Sequence, residues 1–469
     1  MSTPVNAIEL EQKDQRHSMR GWADLAALGS GQTEIMVGAE GAYITDAEGN
    51  RLLDGMGGVW CVNVGYGREE IAQAILQQTR QLAFANPFRN TTSPPAAKLS
   101  SKLAELAPGD LNRVFYSGGG STANDSALRI VQYYFNHLGK PRKKQILCRS
   151  EAYHGSTSVS AALSGMASNK IGFDTPDIGV HYLSAPHVYR RPEGMSESAF
   201  CDLLVEECRA TIERVGAENI ACFFAEPIMG MAGVIVPPKG YFRRISELCR
   251  ENEIFVIADE VVTGFCRLGE YFASDAIFEM SPDIITCAKG LTSGYQPLGA
   301  TIVSDRIFEV IQHPMEAGAL FSHGFTYSEH PVCCAAALAN IAIMEREDLP
   351  GHVRRLGPNF LDALSGLRAL PLVGDVRGMG FMYAVECVAD RDSKALLPPE
   401  VRIGERIAAH ARREGLIVRP LGHLSVLSPP LTLDESEIDF VIEALRKAIS
   451  AATEELVREG LWGGGFPSA

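Results

Sequence analysis

The sequence lacks several features that mark particular classes of protein. Among its 469 residues, no apolar run reaches the roughly 18 residues that a membrane-spanning helix needs. The longest apolar run, residues 333–344, is interrupted by Asn340. The first fifteen residues are polar and acidic, whereas a secretory signal has a basic start and an apolar core. These absences predict a soluble cytoplasmic protein that has no membrane partner.

Positive charge is also scarce. The chain has 43 Lys and Arg against 57 Asp and Glu, a net charge of −14, and its basic residues form only short clusters such as residues 140–144. Nucleic-acid binding requires the opposite balance. We therefore expect no nucleic-acid partner.

The eleven cysteines are odd in number and contain no C-x-x-C pair. Most of them lie in apolar runs. This pattern is typical of buried, reduced thiols and argues against disulfides or a zinc site. We predict no metal site.

The first two thirds of the chain alternate between helical spacing and short apolar runs. We predict helices at 68–82, 94–107, 121–137, 200–214 and 240–252, and strands at 113–116, 145–148, 220–225, 254–258 and 283–288. Short strands separated by helices predict an α/β fold with a largely parallel sheet and helices on both faces.

The pattern changes after residue 331, where helical stretches surround residues 374–380, which we interpret as a turn that opens an antiparallel strand pair. The final stretch, 432–458, is helical again. We expect three parts: residues 1–75 contribute to a small domain, residues 76–330 form a large domain, and residues 331–469 form the small α+β domain.

Three motifs carry chemistry. SGGGSTAN at 117–124 follows a predicted strand and opens a helix, an arrangement that favours an anion such as phosphate. It also satisfies the loose dinucleotide fingerprint through Gly118, Gly120 and Ala123. The alternative is a tight turn in which Ser121 caps the helix.

The second motif is an apolar strand that ends in Asp259. A magnesium-binding acid of a nucleotide triphosphatase would need a G-x-x-x-x-G-K-[ST] partner, which the chain lacks. A helix N-cap is the structural alternative. In the third motif, a strand ends in Lys289, where burial would lower the pKa of the amine and make it a nucleophile for carbonyl carbon. A surface lysine is the alternative.

The three motifs are expected to lie close together, because the carboxyl ends of strands in an open α/β sheet converge on one crevice. Pyridoxal phosphate needs a phosphate cradle, a carboxylate for its pyridine nitrogen and an amine for its aldehyde. Tyr153 would offer an aromatic face to the ring, or would otherwise simply pack.

Taken in order, the motifs resemble the class III aminotransferases, pyridoxal-phosphate enzymes of fold type I, over residues 20–455. The matching segments are GSTAND at 120–125, YHG at 153–155, EP at 226–227, ADEV at 258–261 and AKG at 288–290. GVWCVNVGYG at 58–67, GFTYS at 324–328 and HP at 330–331 resemble the ω-amino acid or amine:pyruvate branch. The resemblance implies a mostly parallel seven-stranded sheet in the large domain.

The resemblance also implies roles for individual residues. Lys289 would carry the cofactor as a Schiff base, and Asp259 would face its pyridine nitrogen. The remaining cofactor contacts would come from Tyr153 and Val261 on the ring, Gly120 and Ser121 on the phosphate, Glu226 near Asp259, and Thr326 on the phosphate bound to a neighbouring subunit. The last role implies a homodimer with shared active sites.

Four residues would form the substrate pocket: Trp60, Phe88, Tyr153 and Arg419. In this branch such an arginine swings in to bind a carboxylate and out to admit a neutral amine, and its planar fork suits pyruvate. The alternative for Arg419 is a surface arginine. His423, close by in sequence, could tune which acids are accepted.

Gly119, Thr122 and Glu329 depart from the family pattern beside the two phosphate-binding segments. We expect amino transfer by a ping-pong mechanism. The alternatives are a decarboxylase, mutase or racemase of the same fold, a dinucleotide-dependent dehydrogenase, and a cofactor-binding protein without turnover.

Overall fold

The computed structural model describes residues 6–26 and 33–463. Residues 1–5, 27–32 and 464–469 lie outside this description. The first and last of the three predicted parts, residues 1–75 and 331–469, are therefore described only in part. The strands of the described part are β1 (Met36–Glu40), β2 (Tyr43–Asp46), β3 (Arg51–Asp54), β4 (Leu111–Ser117), β5 (Gln145–Arg149), β6 (Val180–Leu183), β7 (Ile220–Ala225), β8 (Phe255–Asp259), β9 (Ile284–Cys287), β10 (Gly299–Ser304), β11 (Val373–Met379), β12 (Met382–Cys387), β13 (Leu416–Ile417), β14 (Arg419–Leu421) and β15 (Leu424–Leu427).

Helices connect most of these strands. Those of the described part are α1 (Ala7–His17), α2 (Gly57–Trp60), α3 (Glu69–Gln81), α4 (Pro94–Leu106), α5 (Gly120–His137), α6 (Ser158–Leu163), α7 (Glu197–Val215), α8 (Tyr241–Glu251), α9 (Ala273–Ala276), α10 (Asp305–Ile311), α11 (Pro331–Arg346), α12 (Leu349–Ser365), α13 (Ile403–Arg413) and α14 (Glu435–Arg458).

A seven-stranded sheet has the order β4-β10-β9-β8-β7-β5-β6. The pairs β5–β6, β5–β7, β7–β8 and β8–β9 are parallel. β10 runs antiparallel to both of its neighbours, β4 and β9. The predicted α/β fold with a mostly parallel sheet is therefore confirmed, with one reversed strand that the sequence pattern did not reveal.

Side chains of β8 show how both faces of this sheet are covered. Phe255 and Ile257 belong to the apolar cluster that contains α5 residues, whereas Val256 and Ala258 belong to the cluster that contains α7 and α8 residues. Successive strand residues point to opposite faces, so a strand that is apolar throughout must be covered twice. This burial explains why β8 is a continuous apolar run in the sequence.

Two smaller sheets complete the fold, with the orders β11-β12-β15-β14 and β1-β2-β3-β13. β3 pairs in parallel with β13, so a strand near the amino end is joined to one near the carboxyl end. This pairing agrees with the idea that the first segment contributes to the small domain. The three-part division itself stays a prediction.

One local prediction was wrong. Residues 374–380 were expected to form a turn, but most of them lie in β11, and the chain reverses only around Gly380. A Cβ atom added to Gly374 would lie 2.6 Å from Tyr189 Oη and 2.7 Å from Val388 Cγ2. Glycine at this position therefore reflects close packing on a strand, which sequence alone does not separate from a turn.

Two global properties follow from the described residues. None of the helices among them is long and apolar enough to cross a membrane. The cysteines, all of which fall in the described part, form no disulfide there, and ten of the eleven are buried.

Candidate active site

The sequence motifs meet at the carboxyl end of the seven-stranded sheet. Asp259 ends β8, Lys289 follows β9, Glu226 follows β7, Tyr153 follows β5, and Gly120 begins α5 just after β4. They line one cavity of about 230 Å³ together with Trp60, Ser121, Val261 and Arg419. Nine of the eleven predicted site residues are thus brought together, as expected for the crevice of an open α/β sheet.

Asp259 is held by three N–H groups of the protein. Its Oδ2 atom accepts hydrogen bonds from His154 Nδ1 at 2.7 Å and from Asn124 Nδ2 at 2.8 Å. Its Oδ1 atom accepts one from the Val261 amide at 3.1 Å. Thr286 Oγ1 donates to Asn124 Oδ1 at 2.6 Å and thereby fixes the direction of the Asn124 amide. The carboxylate therefore has one orientation at the wall of the cavity.

Sequence reasoning missed His154 and Asn124 as functional residues. Both stand inside motifs that were recognised, next to Tyr153 and in the helix that follows the glycines. Both are buried. Buried polar side chains need hydrogen-bond partners. A polar residue inside each of two cofactor motifs is the signal that could have identified His154 and Asn124.

His154 also contacts Cys148, whose Sγ atom lies 3.4 Å from Nε2. Burial favours the neutral imidazole, but the adjacent Cys148 sulfur and Asp259 carboxylate outweigh burial and raise the pKa of His154. The histidine is therefore a hydrogen-bond donor to Asp259.

Lys289 has an uncommon backbone conformation, with φ at +43°, and its side chain points into the cavity. Its Nζ atom lies 5.9 Å from the centre of the Trp60 ring. Burial lowers the pKa of the Lys289 amine, although the charge of Asp259 opposes this shift. A lowered pKa leaves more of the neutral amine, which is the nucleophilic form.

Glu226 is buried and organises the backbone around the cavity. One carboxylate oxygen accepts from the Tyr153 amide at 3.2 Å, and the other accepts from the Gly230 amide at 2.9 Å. Burial raises the pKa of Glu226. Its contacts are thus with the backbone that frames the pocket, and the supporting role of Glu226 stays a prediction.

The amino end of α5 is shaped for a close approach. A Cβ atom on Gly120 would lie 2.8 Å from Val261 Cγ1, so only glycine fits beside this valine. No atom lies within 4 Å of where a Cβ on Gly118 or Gly119 would be, so space is open at the start of the helix. Ser121 Oγ accepts from the Ser156 amide at 3.1 Å and joins the next loop to the helix start.

Arg419, on β14, closes one side of the cavity. Its guanidinium carbon lies 5.6 Å from the centre of the Trp60 ring, and its Nη2 atom lies 3.2 Å from Met231 Sδ. Burial lowers the pKa of Arg419. Trp22, which the sequence did not single out, packs edge-on against Tyr153 with 5.7 Å between ring centres.

Phe88 and Thr326 lie outside this cavity. Both are exposed, and Phe88 packs beside Gly324, in the same segment as Thr326. The structure therefore does not bring these two predicted site residues to the cavity within a single chain.

The side chains present fit pyridoxal phosphate. Asp259 offers a carboxylate to a pyridine nitrogen, Lys289 offers an amine to an aldehyde, and the open start of α5 suits a phosphate. Tyr153 and Val261 lie on the cavity wall, where a flat ring would be enclosed.

Comparison with known proteins agrees with this geometry. A family model described as aminotransferase class-III matches residues 28–449. A putrescine–pyruvate aminotransferase from Pseudomonas aeruginosa is 41% identical over 95% of this chain and 97% of its own length. A diaminobutyrate–2-oxoglutarate transaminase from Halomonas elongata is 37% identical over 98% of this chain and 99% of its own.

Solved structures give the same result. An (S)-enantioselective omega-transaminase from Thermomicrobium roseum superposes with a TM-score of 0.93 at 41% identity, covering 96% of this chain and 100% of that one. The omega transaminase from Pseudomonas jessenii in complex with PMP also has a TM-score of 0.93, at 37% identity, covering 96% of this chain and 99% of that one.

Proposed function

This chain belongs to the class III aminotransferases, and on that premise we propose that it moves an amino group from an ω-amino acid or an amine to pyruvate or a similar keto acid. It is a pyridoxal-phosphate-dependent transaminase. The observation that supports the proposal most is the position of Arg419, which lines the same cavity as Lys289 and Asp259.

Pyridoxal phosphate, when bound, supplies an aldehyde that takes up an amino group and a ring that stabilises negative charge on the neighbouring carbon. The Asp259 carboxylate, fixed in direction by His154 and Asn124, would stabilise the proton on the pyridine nitrogen through its negative charge. Lys289 would hold the cofactor through its amine, and its Nζ atom, in the neutral form, would take the proton from the substrate carbon. The amino group remains on the enzyme between the two substrates, so the kinetics are ping-pong.

Arg419 supports the choice of a keto acid as acceptor. Among the described residues that line this cavity with Arg419, the acids are Asp259 and Glu226, and both bind other groups. A planar guanidinium binds a carboxylate with two parallel hydrogen bonds. The 41% identical putrescine–pyruvate relative uses, by its name, an amine and pyruvate.

We further propose a homodimer in which each subunit contributes to both sites. An exposed apolar surface lies next to Thr326: Phe84 and Tyr327, which are 43% and 67% exposed, pack against each other, and Phe88, which is 44% exposed, packs beside Gly324 in the same segment. Such a surface favours contact with another protein surface. Co-expression of Lys289→Gln subunits with Thr326→Asp subunits tests this, since each mixed dimer would contain one intact site. Inactive mixtures or a monomer by ultracentrifugation would contradict the shared site.

The visible absorbance spectrum of the purified enzyme tests the main proposal. We expect a violet absorbance band that fades when β-alanine or an amine is added and returns with pyruvate. A band that no amine changes would favour a decarboxylase or a protein without turnover. Absence of the band after reconstitution would overturn the proposal.

A further inference from the structure

Asp259 is the cavity end of a chain of three buried polar groups. Its Oδ2 atom accepts a hydrogen bond from His154 Nδ1 at 2.7 Å, and the second ring nitrogen of His154, Nε2, lies 3.4 Å from Cys148 Sγ. Cys148, His154 and Asp259 are 0%, 2% and 4% exposed. His154 and Asp259 line the cavity that contains Lys289, whereas Cys148 does not. Cys148 can therefore act on a molecule in the cavity through His154.

The surroundings of the Cys148 sulfur are apolar. Cys148 lies on β5, in the apolar cluster that also contains Ala127, Leu163 and Phe224. The Phe224 ring packs edge-on against the His154 ring, with 4.9 Å between their centres. Among the described residues, Cys148 is the one hydrogen-bond partner of His154 Nε2. Loss of the sulfur would therefore leave a buried polar nitrogen without a partner.

The chemistry of the three groups defines how they are connected. An ionised carboxylate only accepts hydrogen bonds, so His154 Nδ1 carries a proton when it bonds to Asp259. In a neutral ring, Nε2 then accepts the thiol proton of Cys148, and in a charged ring Nε2–H donates to the sulfur. In both forms the sulfur satisfies Nε2 and fixes the ring, since the hydrogen bond of one imidazole nitrogen sets the protonation of the other.

We propose that Cys148 is a positioning residue for the cofactor. Through His154, its sulfur keeps the Asp259 carboxylate directed at the pyridine nitrogen of pyridoxal phosphate. This inference rests on the proposed contact between Asp259 and that nitrogen. The attraction between the carboxylate and a protonated ring nitrogen falls with distance, so a carboxylate that turns away stabilises the proton less. Cys148 thus strengthens the hold of the enzyme on the protonated ring.

The alternative is that Cys148 only fills space in the core. Cys222, on the neighbouring strand β7, is also 0% exposed and belongs to the same apolar cluster. In the described part of the chain, Cys222 forms no hydrogen bond with His154. If both cysteines only pack, truncation of either should have the same effect. Cys222→Ala is therefore the matched control, since it removes the same sulfur atom from the same core.

Binding of two molecules to the cofactor-free protein, measured by equilibrium dialysis, separates these roles. The first is pyridoxal phosphate, and the second is its carbon analogue, in which C–H replaces the pyridine nitrogen. Both carry the same aldehyde and phosphate, so the contacts of Lys289 and of the start of α5 cancel in the ratio of their dissociation constants. That ratio measures the interaction at the pyridine nitrogen. We expect pyridoxal phosphate to bind about a hundredfold tighter than the analogue, because hydrogen bonds between charged groups are strong.

Three substitutions of Cys148 give the expected pattern. Cys148→Ala and Cys148→Val should both lower this preference about tenfold, because neither side chain can bond to His154 Nε2. Valine fills the space that alanine leaves empty, so it separates the lost hydrogen bond from the effect of a cavity. Cys148→Ser should restore most of the preference, because a hydroxyl can both donate and accept. Cys222→Ala should leave the preference unchanged.

Asp259→Asn distinguishes failure of this inference from failure of the proposed function. It should abolish the preference for pyridoxal phosphate, since a neutral amide does not stabilise a protonated pyridine nitrogen. A preference that survives in Asp259→Asn would contradict the proposed contact of Asp259, and the inference with it. A preference lost in Asp259→Asn but kept in both Cys148→Ala and Cys148→Val would overturn only the inference. An equal loss in Cys222→Ala would show that packing is responsible and would also overturn it.

Infrared spectra of the cofactor-free protein test the contact itself without any ligand. The difference between the unmodified protein and Cys148→Val isolates the S–H stretching band of Cys148, and Cys222→Val does the same for a thiol in the same apolar cluster. We expect the Cys148 band at a lower frequency than the Cys222 band, because a thiol that donates to Nε2 has a weakened S–H bond. Absence of the Cys148 band would show that its proton has moved to Nε2, which also supports the contact. Coinciding bands would show a thiol that donates to nothing and would overturn the inference.

Discussion

Lys289 and Lys143 lie at opposite ends of the seven-stranded sheet. Lys289 follows the carboxyl end of β9, whereas Lys143 precedes the amino end of β5. Burial lowers the pKa of both amines. The difference is in what they contact: Lys143 Nζ donates to the carbonyls of Ala217 at 2.9 Å and Asn252 at 3.3 Å, whereas Lys289 faces a cavity.

The charged groups near the two lysines differ in the same way. At the amino end of the sheet, a cavity of about 200 Å³ is lined by charged groups. Two acids there have basic partners: Glu253 pairs with Lys140 at 2.8 Å, and Asp283 pairs with Arg306. At the carboxyl end, Lys289, Asp259 and Arg419 share one space without pairing to one another within hydrogen-bond distance, as far as the described residues show. Charged groups around a cavity therefore do not by themselves mark an active site; charged groups that share a cavity without pairing to one another do.

The strongest test of this contrast is Lys289→Gln. We expect a loss of at least about 10⁴-fold in kcat, because the variant has no amine to bind the aldehyde or to move the proton. Stopped-flow half-reactions with β-alanine measure the loss. Circular dichroism controls for the fold, and turnover within tenfold of the unmodified enzyme would contradict the role of Lys289.

Asp259→Asn should have the next largest effect. The neutral amide cannot balance a protonated pyridine nitrogen, and its N–H₂ group would oppose the donors on His154 and Asn124. We expect kcat to fall about 10³-fold while the protein remains folded. Steady-state assays with β-alanine and pyruvate give the result, and undiminished turnover would remove Asp259 from the mechanism.

Lys143→Met tests the other end of the sheet. The variant retains the length of the side chain but leaves the carbonyls of Ala217 and Asn252 without their donor. We expect the free energy of unfolding to fall by about 1 to 2 kcal/mol, with kcat per folded molecule unchanged within about twofold. Urea unfolding monitored by fluorescence measures the change. A large loss of kcat without a loss of stability would abolish the distinction between the two ends.

Labelling of amines in the cofactor-free enzyme compares the two lysines directly. At pH 8, Lys289 should react with acetic anhydride about tenfold faster than the exposed Lys98, since its lowered pKa leaves more neutral amine. The advantage should shrink as the pH rises towards 10.5, the ordinary lysine value, because a lowered pKa then no longer gives a larger fraction of neutral amine.

Lys143 is the control in the same experiment, because it is only 2% exposed and bound to two carbonyls. It should react more slowly than Lys98 at every pH at which the protein is folded. Mass spectrometry of tryptic peptides gives all three rates. Equal rates for Lys289 and Lys143 would show that the cavity does not expose the Lys289 amine.

The two lysines also show which buried residues the sequence pattern can identify. Lys289 was recognised because it ends an apolar strand within a motif, and the family comparison confirms that the chain is a transaminase. Lys143 stands in a short basic cluster, residues 140–144, that has the composition of an exposed segment. Nothing in that cluster distinguishes the buried lysine from its neighbours, because its partners come from residues 217 and 252.

The sequence by itself determined the α/β fold, the order of the motifs and the side chains that meet at the carboxyl end of the sheet. These follow from local patterns, namely apolar periodicity and the residues placed directly after each strand. Only the tertiary structure decided the reversed direction of β10 and the hydrogen bonds that His154 and Asn124 donate to Asp259. The same holds for the exposed positions of Phe88 and Thr326. Contacts between distant segments depend on packing, which no local pattern encodes.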